Sequence, residues 1–117
     1  MAHRIERINN LIRRELSELI QNEVRDPRLD SFVTVTEVST SADLRHAKIY
    51  VSSMSGKQEE KNILEALNSA TGFLRTGLAG KIRIRRIPEL NFYWDDSIEH
   101  GDRILRMIDN LRQEDSS

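Results

Sequence analysis

Residues 67–86 have the sequence LNSATGFLRTGLAGKIRIRR, and this stretch contains information on both the fold and the function of the protein. Its first half has the spacing of a helix, with Leu67, Ala70 and Leu74 recurring at three- and four-residue steps. Gly72 interrupts that pattern at a position where glycine costs about 1 kcal/mol relative to alanine. The interruption has two explanations: close packing of the helix against a sheet, or a kink between two short helices that leaves N–H groups free for an anion.

The same stretch is strongly basic in a chain whose net charge is only −1. Residues 66–88 contain five basic residues and no acidic one, namely Arg75, Lys81, Arg83, Arg85 and Arg86. Screening limits the influence of each charge to roughly 8–10 Å, so a nearly neutral protein can still bind a polyanion through one basic segment. The alternative is an ordinary solvated charged face.

Working outward, apolar spacing predicts a first helix over residues 3–23, which ends before Asp26 and Pro27. Alternating β-branched stretches predict two strands, 32–38 and 47–52, joined by a polar hairpin connection. The second helical pattern starts near Ile63, and Gly77 and Gly80 are expected to end it.

A third strand is predicted over residues 82–94, bent at Pro88. In such a strand, Arg83 and Arg85 have polar parity, whereas Arg86 has the parity of the apolar face. A capping box at residues 96–99 predicts a last helix.

The resulting order, α-β-β-α-α-β-α, predicts an α+β fold with a three-stranded mixed sheet and helices packed on one face. One domain is expected over residues 1–112, followed by a frayed tail at 113–117. The chain has no cysteine, no secretory h-region and no apolar run of membrane length, so a cytoplasmic location is expected.

Catalytic and cofactor motifs are missing from the sequence. Neither nucleotide-binding glycine fingerprint occurs, no serine lies in a nucleophile-elbow setting, and His3, His46 and His100 lack metal-ligand spacing. The tetrapeptide at residues 77–80 matches GxxG, the backbone-binding loop of KH domains, although a helix C-cap is the favoured explanation. We therefore expect no enzyme, no metal and no cofactor.

Two weaker features remain open at this point. The acidic cluster around Asp95 and Asp96 is interpreted as helix capping, with a divalent-metal hydrolase as the alternative. Tyr50 and Tyr93 share the polar face of the predicted sheet, where they are either ordinary strand aromatics or platforms on which bases stack.

Four blocks in this order resemble the bacterial ribosome-binding factor A family: VRDPRL at 24–29, DLRHAKIYVS at 43–52, LNSATGFLR at 67–75 and IPELNFYWD at 87–95. The resemblance covers nearly the whole chain and implies a type II KH-like domain. In that family an Ala-x-Gly kink replaces the KH loop, and Ala70, Thr71 and Gly72 match it here.

The resemblance also implies a function. It suggests a monomeric, non-enzymatic assembly factor that binds free 30S subunits and their precursors through 16S rRNA. Such a factor supports late rRNA maturation, including 5′-end processing, especially in the cold. A generic single-stranded RNA-binding KH module is the alternative. The candidate RNA-binding residues are the kink and the five cations of residues 66–88, which the resemblance favours, and three further arginines chosen for their charge, Arg4, Arg7 and Arg45.

Overall fold

The computed structural model describes residues 2–29, 33–54 and 56–97 of the chain. Within them the helices are α1 (Ala2–Asn22), α2 (Glu60–Ser69) and α3 (Thr71–Lys81), and the strands are β1 (Val33–Thr40), β2 (His46–Ser53) and β3 (Glu89–Trp94). A short 3₁₀ turn, Lys57–Glu59, leads into α2. The predicted last helix and the tail at 113–117 lie outside the described residues.

Helix α1 forms where the apolar spacing predicted it. Its inward stripe is buried, with Ile12 and Leu16 inaccessible to solvent, and it packs on β1 and α3. The last turn closes with the N–H groups of Glu23 and Val24 on the carbonyl of Leu19. None of the helices among the described residues has the length and hydropathy needed to cross a membrane.

The three strands form one mixed sheet, as predicted, and their order is β1-β2-β3. Strands β1 and β2 pair antiparallel, and β3 lies parallel to β2 after the helical crossover. A bulge leaves Thr36 without a register partner. The tight connection from β1 to β2 places Leu44 in the left-handed region, with φ of 60°.

The apolar core lies between one face of the sheet and the helices. Alternation along the central strand buries Ala47, Ile49 and Val51, while Lys48 points to the other face. From β3, Phe92 and Trp94 join the same core. Each large apolar side chain that is fully buried in this core stabilises the fold by about 1.5–3 kcal/mol, because its surface is removed from water.

The prediction that Gly77 and Gly80 end a helix is wrong. Helix α3 runs through both glycines to Lys81, because Leu74 and Leu78 are fully buried and tertiary packing outweighs the low propensity of glycine. At Gly77 a Cβ atom would lie only 2.9 Å from Cδ2 of Leu19, so this glycine allows α3 to approach α1 closely. The GxxG sequence is therefore helical and is not a KH loop.

The prediction of a strand from residue 82 is also wrong, because the strand begins only at Glu89. The first ladder bond runs from the Glu89 N–H to the Arg45 carbonyl, at 2.8 Å, and Pro88 before it has no N–H to donate. Residues 82–88 are irregular, so strand parity does not apply to them. Arg86, expected to point inward, is exposed.

Candidate nucleic-acid interface

A kink separates α2 from α3, and its centre is Ala70 rather than Gly72. Ala70 has φ of −91° and ψ of 4°, and its N–H still donates to the carbonyls of Ala66 and Leu67. The Thr71 hydroxyl donates to the Asn68 carbonyl at 2.8 Å. These bonds satisfy the end of α2 and hold the turn.

The start of α3 has no side-chain cap. Its N-cap residue, Ala70, has no side-chain acceptor for the first N–H groups of the helix, and Thr71, Gly72 and Phe73 lie in that first turn. A Cβ atom on Gly72 would meet nothing within 4 Å. The packing explanation for Gly72 is therefore wrong, and the kink explanation agrees with the geometry.

Arg75 connects this helix to the basic segment. Its Nη2 donates to the Ile87 carbonyl at 3.0 Å and its Nε to the Pro88 carbonyl at 3.2 Å. The guanidinium thereby holds the residues that directly follow Arg86. The sequence predicts that Arg75 binds RNA. In the structure its side chain holds the backbone at Ile87 and Pro88 in place.

Three of the candidate arginines meet in one cleft. Arg45 from the β1–β2 connection, together with Arg85 and Arg86, lines an opening of about 340 Å³ with Asp43 and Leu44. Among the described lining residues there are three arginines and one carboxylate, that of Asp43, which lies 3.9 Å from Nε of Arg45, so the described lining is cationic. Arg45 reaches this position because the β1–β2 connection and the start of β3 lie at the same end of the sheet.

Asp43 is the acidic member of the cleft and was not singled out from the sequence. Its carboxylate accepts a hydrogen bond from the Ser41 hydroxyl at 2.6 Å and another from the Arg45 N–H at 3.1 Å. These bonds, with that from Ser41 the larger cause, hold the pKa of Asp43 below its usual value. Asp43 therefore stays ionised and orders the loop that presents Arg45.

The remaining basic candidates are dispersed. Lys81 lies 3.9 Å from the Glu15 carboxylate, which partly neutralises it although its own segment has no acidic residue. Arg83 is exposed but does not line the cleft, and Arg4 and Arg7 are exposed on α1. The structure thus brings Arg45, Arg85 and Arg86 together and leaves these four apart from them.

The acidic cluster is used structurally where it is described. The Asp95 carboxylate accepts from the Thr36 hydroxyl at 2.5 Å and from the Ser97 N–H at 2.8 Å, and Asp96 lies 3.7 Å from the Lys57 ammonium. Within residues 2–29, 33–54 and 56–97, no three potential ligands are placed to hold a metal ion.

Two aromatic features complete the surface. The rings of Tyr50 and Tyr93 lie 5.7 Å apart, tilted by 32°, on the sheet face opposite the core. Phe73, which sequence analysis overlooked, is 51% exposed beside the kink. The signal for Phe73 was available, because it falls outside the apolar spacing that Leu67, Ala70 and Leu74 define.

Together, a kinked helix pair, a mixed three-stranded sheet and a cationic cleft define a KH-like domain with a face suited to a polyanion. Residues 4–108 match the family model of Ribosome-binding factor A. The chain belongs to that family, which confirms the resemblance seen in the sequence.

Individual relatives agree. A Ribosome-binding factor A from Dehalococcoides mccartyi is 49% identical over 113 residues, which span 97% of this chain and 96% of the relative. The crystal structure of the Thermus thermophilus factor is 32% identical, with a TM-score of 0.69 over 77% of this chain and 93% of that one. A Thermus thermophilus coordinate set fitted into a cryo-EM map of a 30S–RbfA complex matches with a TM-score of 0.61 at 31% identity, covering 75% of this chain and 91% of that one.

Proposed function

We propose that this protein is a non-enzymatic assembly factor that binds the free 30S ribosomal subunit and its precursors through 16S rRNA. The observation that carries the proposal is the cleft of Arg45, Arg85 and Arg86, which Arg75 links to the kinked helix pair. Phosphate groups are the natural ligands of such a cluster, since guanidinium forks bind them in a bidentate manner. The complex formed by the related Thermus factor supports the choice of the 30S subunit.

We infer a finer role from the family resemblance. The protein supports late maturation of 16S rRNA, including processing of its 5′ end, and this support is most needed in the cold. It acts as a monomer in the cytoplasm. Phosphate contacts stabilise one rRNA conformation relative to others, so the mechanism is a population shift, and another protein cuts the rRNA.

A generic single-stranded RNA-binding KH module is less well supported. Such a module would grip the RNA backbone with its GxxG loop, whereas Gly77 and Gly80 lie inside α3. The two functions differ in one measurable respect. A generic module would be displaced from subunits by free oligonucleotides, and an assembly factor would not.

Co-sedimentation tests the proposal. We expect the protein to co-sediment with free 30S subunits and only weakly with assembled 70S ribosomes, in the presence of excess single-stranded oligonucleotide. Equal binding to both particles, or displacement by the oligonucleotide, would favour the generic module. The Arg85→Ala/Arg86→Ala double variant should lose most 30S binding.

A charge-matched control isolates the cleft. Lys57→Gln/Lys61→Gln removes the same charge beyond the carboxyl end of β2, whereas Arg45 precedes its amino end. Eight strand residues, roughly 25 Å, separate the two positions. This control should bind 30S subunits like the wild type. If both double variants bind equally weakly, net charge rather than the cleft determines binding.

A further inference from the structure

A second opening lies on the α1 side of the kink, apart from the cationic cleft. It has a volume of about 250 Å³ and lies between the end of α1 and the junction of α2 with α3. Its apolar lining is Val24, Ala66, Ala70 and Phe73, and its polar lining is Glu23, Arg25, Asp26 and Ser69. The opening therefore combines a small apolar floor with a polar rim.

Phe73 is the one aromatic residue among the described residues that line this opening. The ring is 51% exposed, although the next residue, Leu74, is fully buried. The preceding residue is Gly72, which has no side chain to shield the ring. A single exposed apolar side chain needs no explanation, but this one borders a cavity whose floor, formed in part by Ala66, is already apolar.

One of the two described carboxylates on the polar rim, that of Asp26, is already paired with an arginine. Asp26 accepts two side-chain hydrogen bonds from Arg28, at 3.0 and 2.7 Å, which neutralise its charge locally. Arg25 is exposed, forms no ion pair with the described residues and can meet a phosphate, and Glu23 offers a carboxylate acceptor. A flat aromatic ring, a cation and a carboxylate acceptor that line one opening suit a ligand with a planar apolar face, a hydrogen-bonding edge and a phosphate.

We propose that this opening holds one unpaired rRNA nucleotide, whose base stacks on Phe73 and whose phosphate meets Arg25. Glu23 accepts from an exocyclic amino group, so adenine, cytosine or guanine is preferred over uracil, which has no such group. A protein side chain is less well matched, because polar residues make up half of the described residues that line the opening. The inference rests on the proposed RNA-binding function and adds a base contact to its phosphate contacts.

Matched variants test the stacking contact. We expect Phe73→Leu to weaken 30S binding roughly 5- to 150-fold, the range for loss of one base–aromatic stack. Phe73→Tyr keeps the ring and should bind within about twofold of the wild type. Because stacking involves no ion release, Phe73→Leu should leave the salt dependence of binding unchanged. Its melting temperature should also stay close to that of the wild type, since the ring is half exposed.

Photo-crosslinking identifies the occupant. A Phe73→p-benzoylphenylalanine variant bound to 30S subunits should crosslink to a single 16S rRNA nucleotide. Crosslinking to a ribosomal protein would overturn the inference but not the proposed 30S binding. Wild-type affinity of the Phe73→Leu variant for 30S subunits would have the same consequence. If the wild-type chain itself fails to bind 30S subunits, the proposed function and this inference both fail.

Discussion

The guanidinium of Arg75 donates to the backbone carbonyl of Ile87 at 3.0 Å, joining α3 to the segment that carries Arg85 and Arg86. The contact makes an exposed arginine a part of the scaffold. A planar fork can reach this carbonyl and that of Pro88 together, whereas an ammonium group cannot reproduce the geometry. The Arg75 side chain thus ties the segment of the cationic cleft to the helix that begins at the kink.

Arg75→Lys is the sharpest test of this positioning role, because it keeps the charge and removes the fork. We expect weaker 30S binding and a loss of about 1 kcal/mol in the free energy of unfolding, with the salt dependence of binding unchanged. Binding titrations and urea denaturation measure these quantities. Arg83→Lys, also exposed but outside the cleft, should change neither. A salt dependence that is flatter in Arg75→Gln, which removes the charge, than in Arg75→Lys would indicate direct phosphate contact instead.

The two glycines of the GxxG sequence should respond oppositely to alanine. At Gly77 the new methyl group would collide with the buried Leu19 side chain, and overpacking typically costs 1–3 kcal/mol. Helix propensity returns at most about 1 kcal/mol. At Gly80 nothing lies within 4 Å, so Gly80→Ala should be neutral or stabilising. Thermal denaturation of the two variants measures the difference.

A double-mutant cycle identifies the partner of Gly77. If Leu19 causes the destabilisation, the Leu19→Val/Gly77→Ala double variant should be more stable than the sum of the single changes predicts. Additive effects would mean that the methyl group at position 77 disturbs a different neighbour.

Sequence patterns predicted the fold well where one physical requirement dominated. The amphipathic spacing of α1 and the alternation in β2 both record burial against a core, and both elements formed as expected. The errors arose where two requirements competed. The low helix propensity of glycine predicts that a helix ends at Gly77. The close approach of Gly77 to Leu19, which lies 58 residues earlier in the chain, cannot be inferred from a local pattern.

The candidate site was less predictable than the fold. The basic composition of residues 66–88 was visible in the sequence, but strand parity gave Arg86 the wrong direction, because no partner strand imposes alternation before Glu89. The meeting of Arg45 with Arg85 depends on the pairing of β2 with β3, which brings distant residues to one sheet end. Local patterns contain no information on that proximity.

Gly72→Ala separates the function of the kink from its stability. Gly72 has open space around it and lies at the start of α3. Alanine should therefore leave the free energy of unfolding unchanged or increase it by at most about 1 kcal/mol, and the melting temperature should not fall. The change should favour a continuous helix and weaken 30S binding. Gly80→Ala, equally open, should bind normally. A clear loss of stability in Gly72→Ala would contradict the geometry.

Acidification should weaken the tie between Asp95 and the β1 bulge. Hydrogen bonds from Ser97 and Thr36 hold the pKa of Asp95 below its usual value. The folded-state pKa therefore lies below the unfolded value of about 3.9, so this contribution is complete above that value and is lost as the pH falls through the folded pKa. We expect the stability advantage of wild type over Asp95→Asn to shrink below about pH 4.

The Thr36→Val variant controls for this interpretation. It removes the hydroxyl donor and preserves the shape of the side chain, so the pKa of Asp95 should rise toward its usual value. Urea denaturation from pH 7 to pH 2 should then give Thr36→Val a weaker acid dependence than the wild type. The same acid dependence in both proteins would exclude the Thr36 contact as a cause.

Salt dependence gives the most direct measure of phosphate contact in the cleft. Each cation that meets a phosphate should contribute roughly 0.7–0.9 to the slope of log affinity against log salt concentration. Arg85 and Arg86 are both exposed and line the cleft, so Arg85→Ala/Arg86→Ala should flatten that slope by about 1–2 while the protein remains folded. The pair Arg83→Ala/Arg85→Ala keeps Arg86 in the cleft and should flatten it less. Titrations of 30S binding at several salt concentrations, with circular dichroism as the folding control, decide the matter. An unchanged slope in both variants would show that these cations are a solvated face, and Arg4 and Arg7 on α1 would be the next positions to substitute.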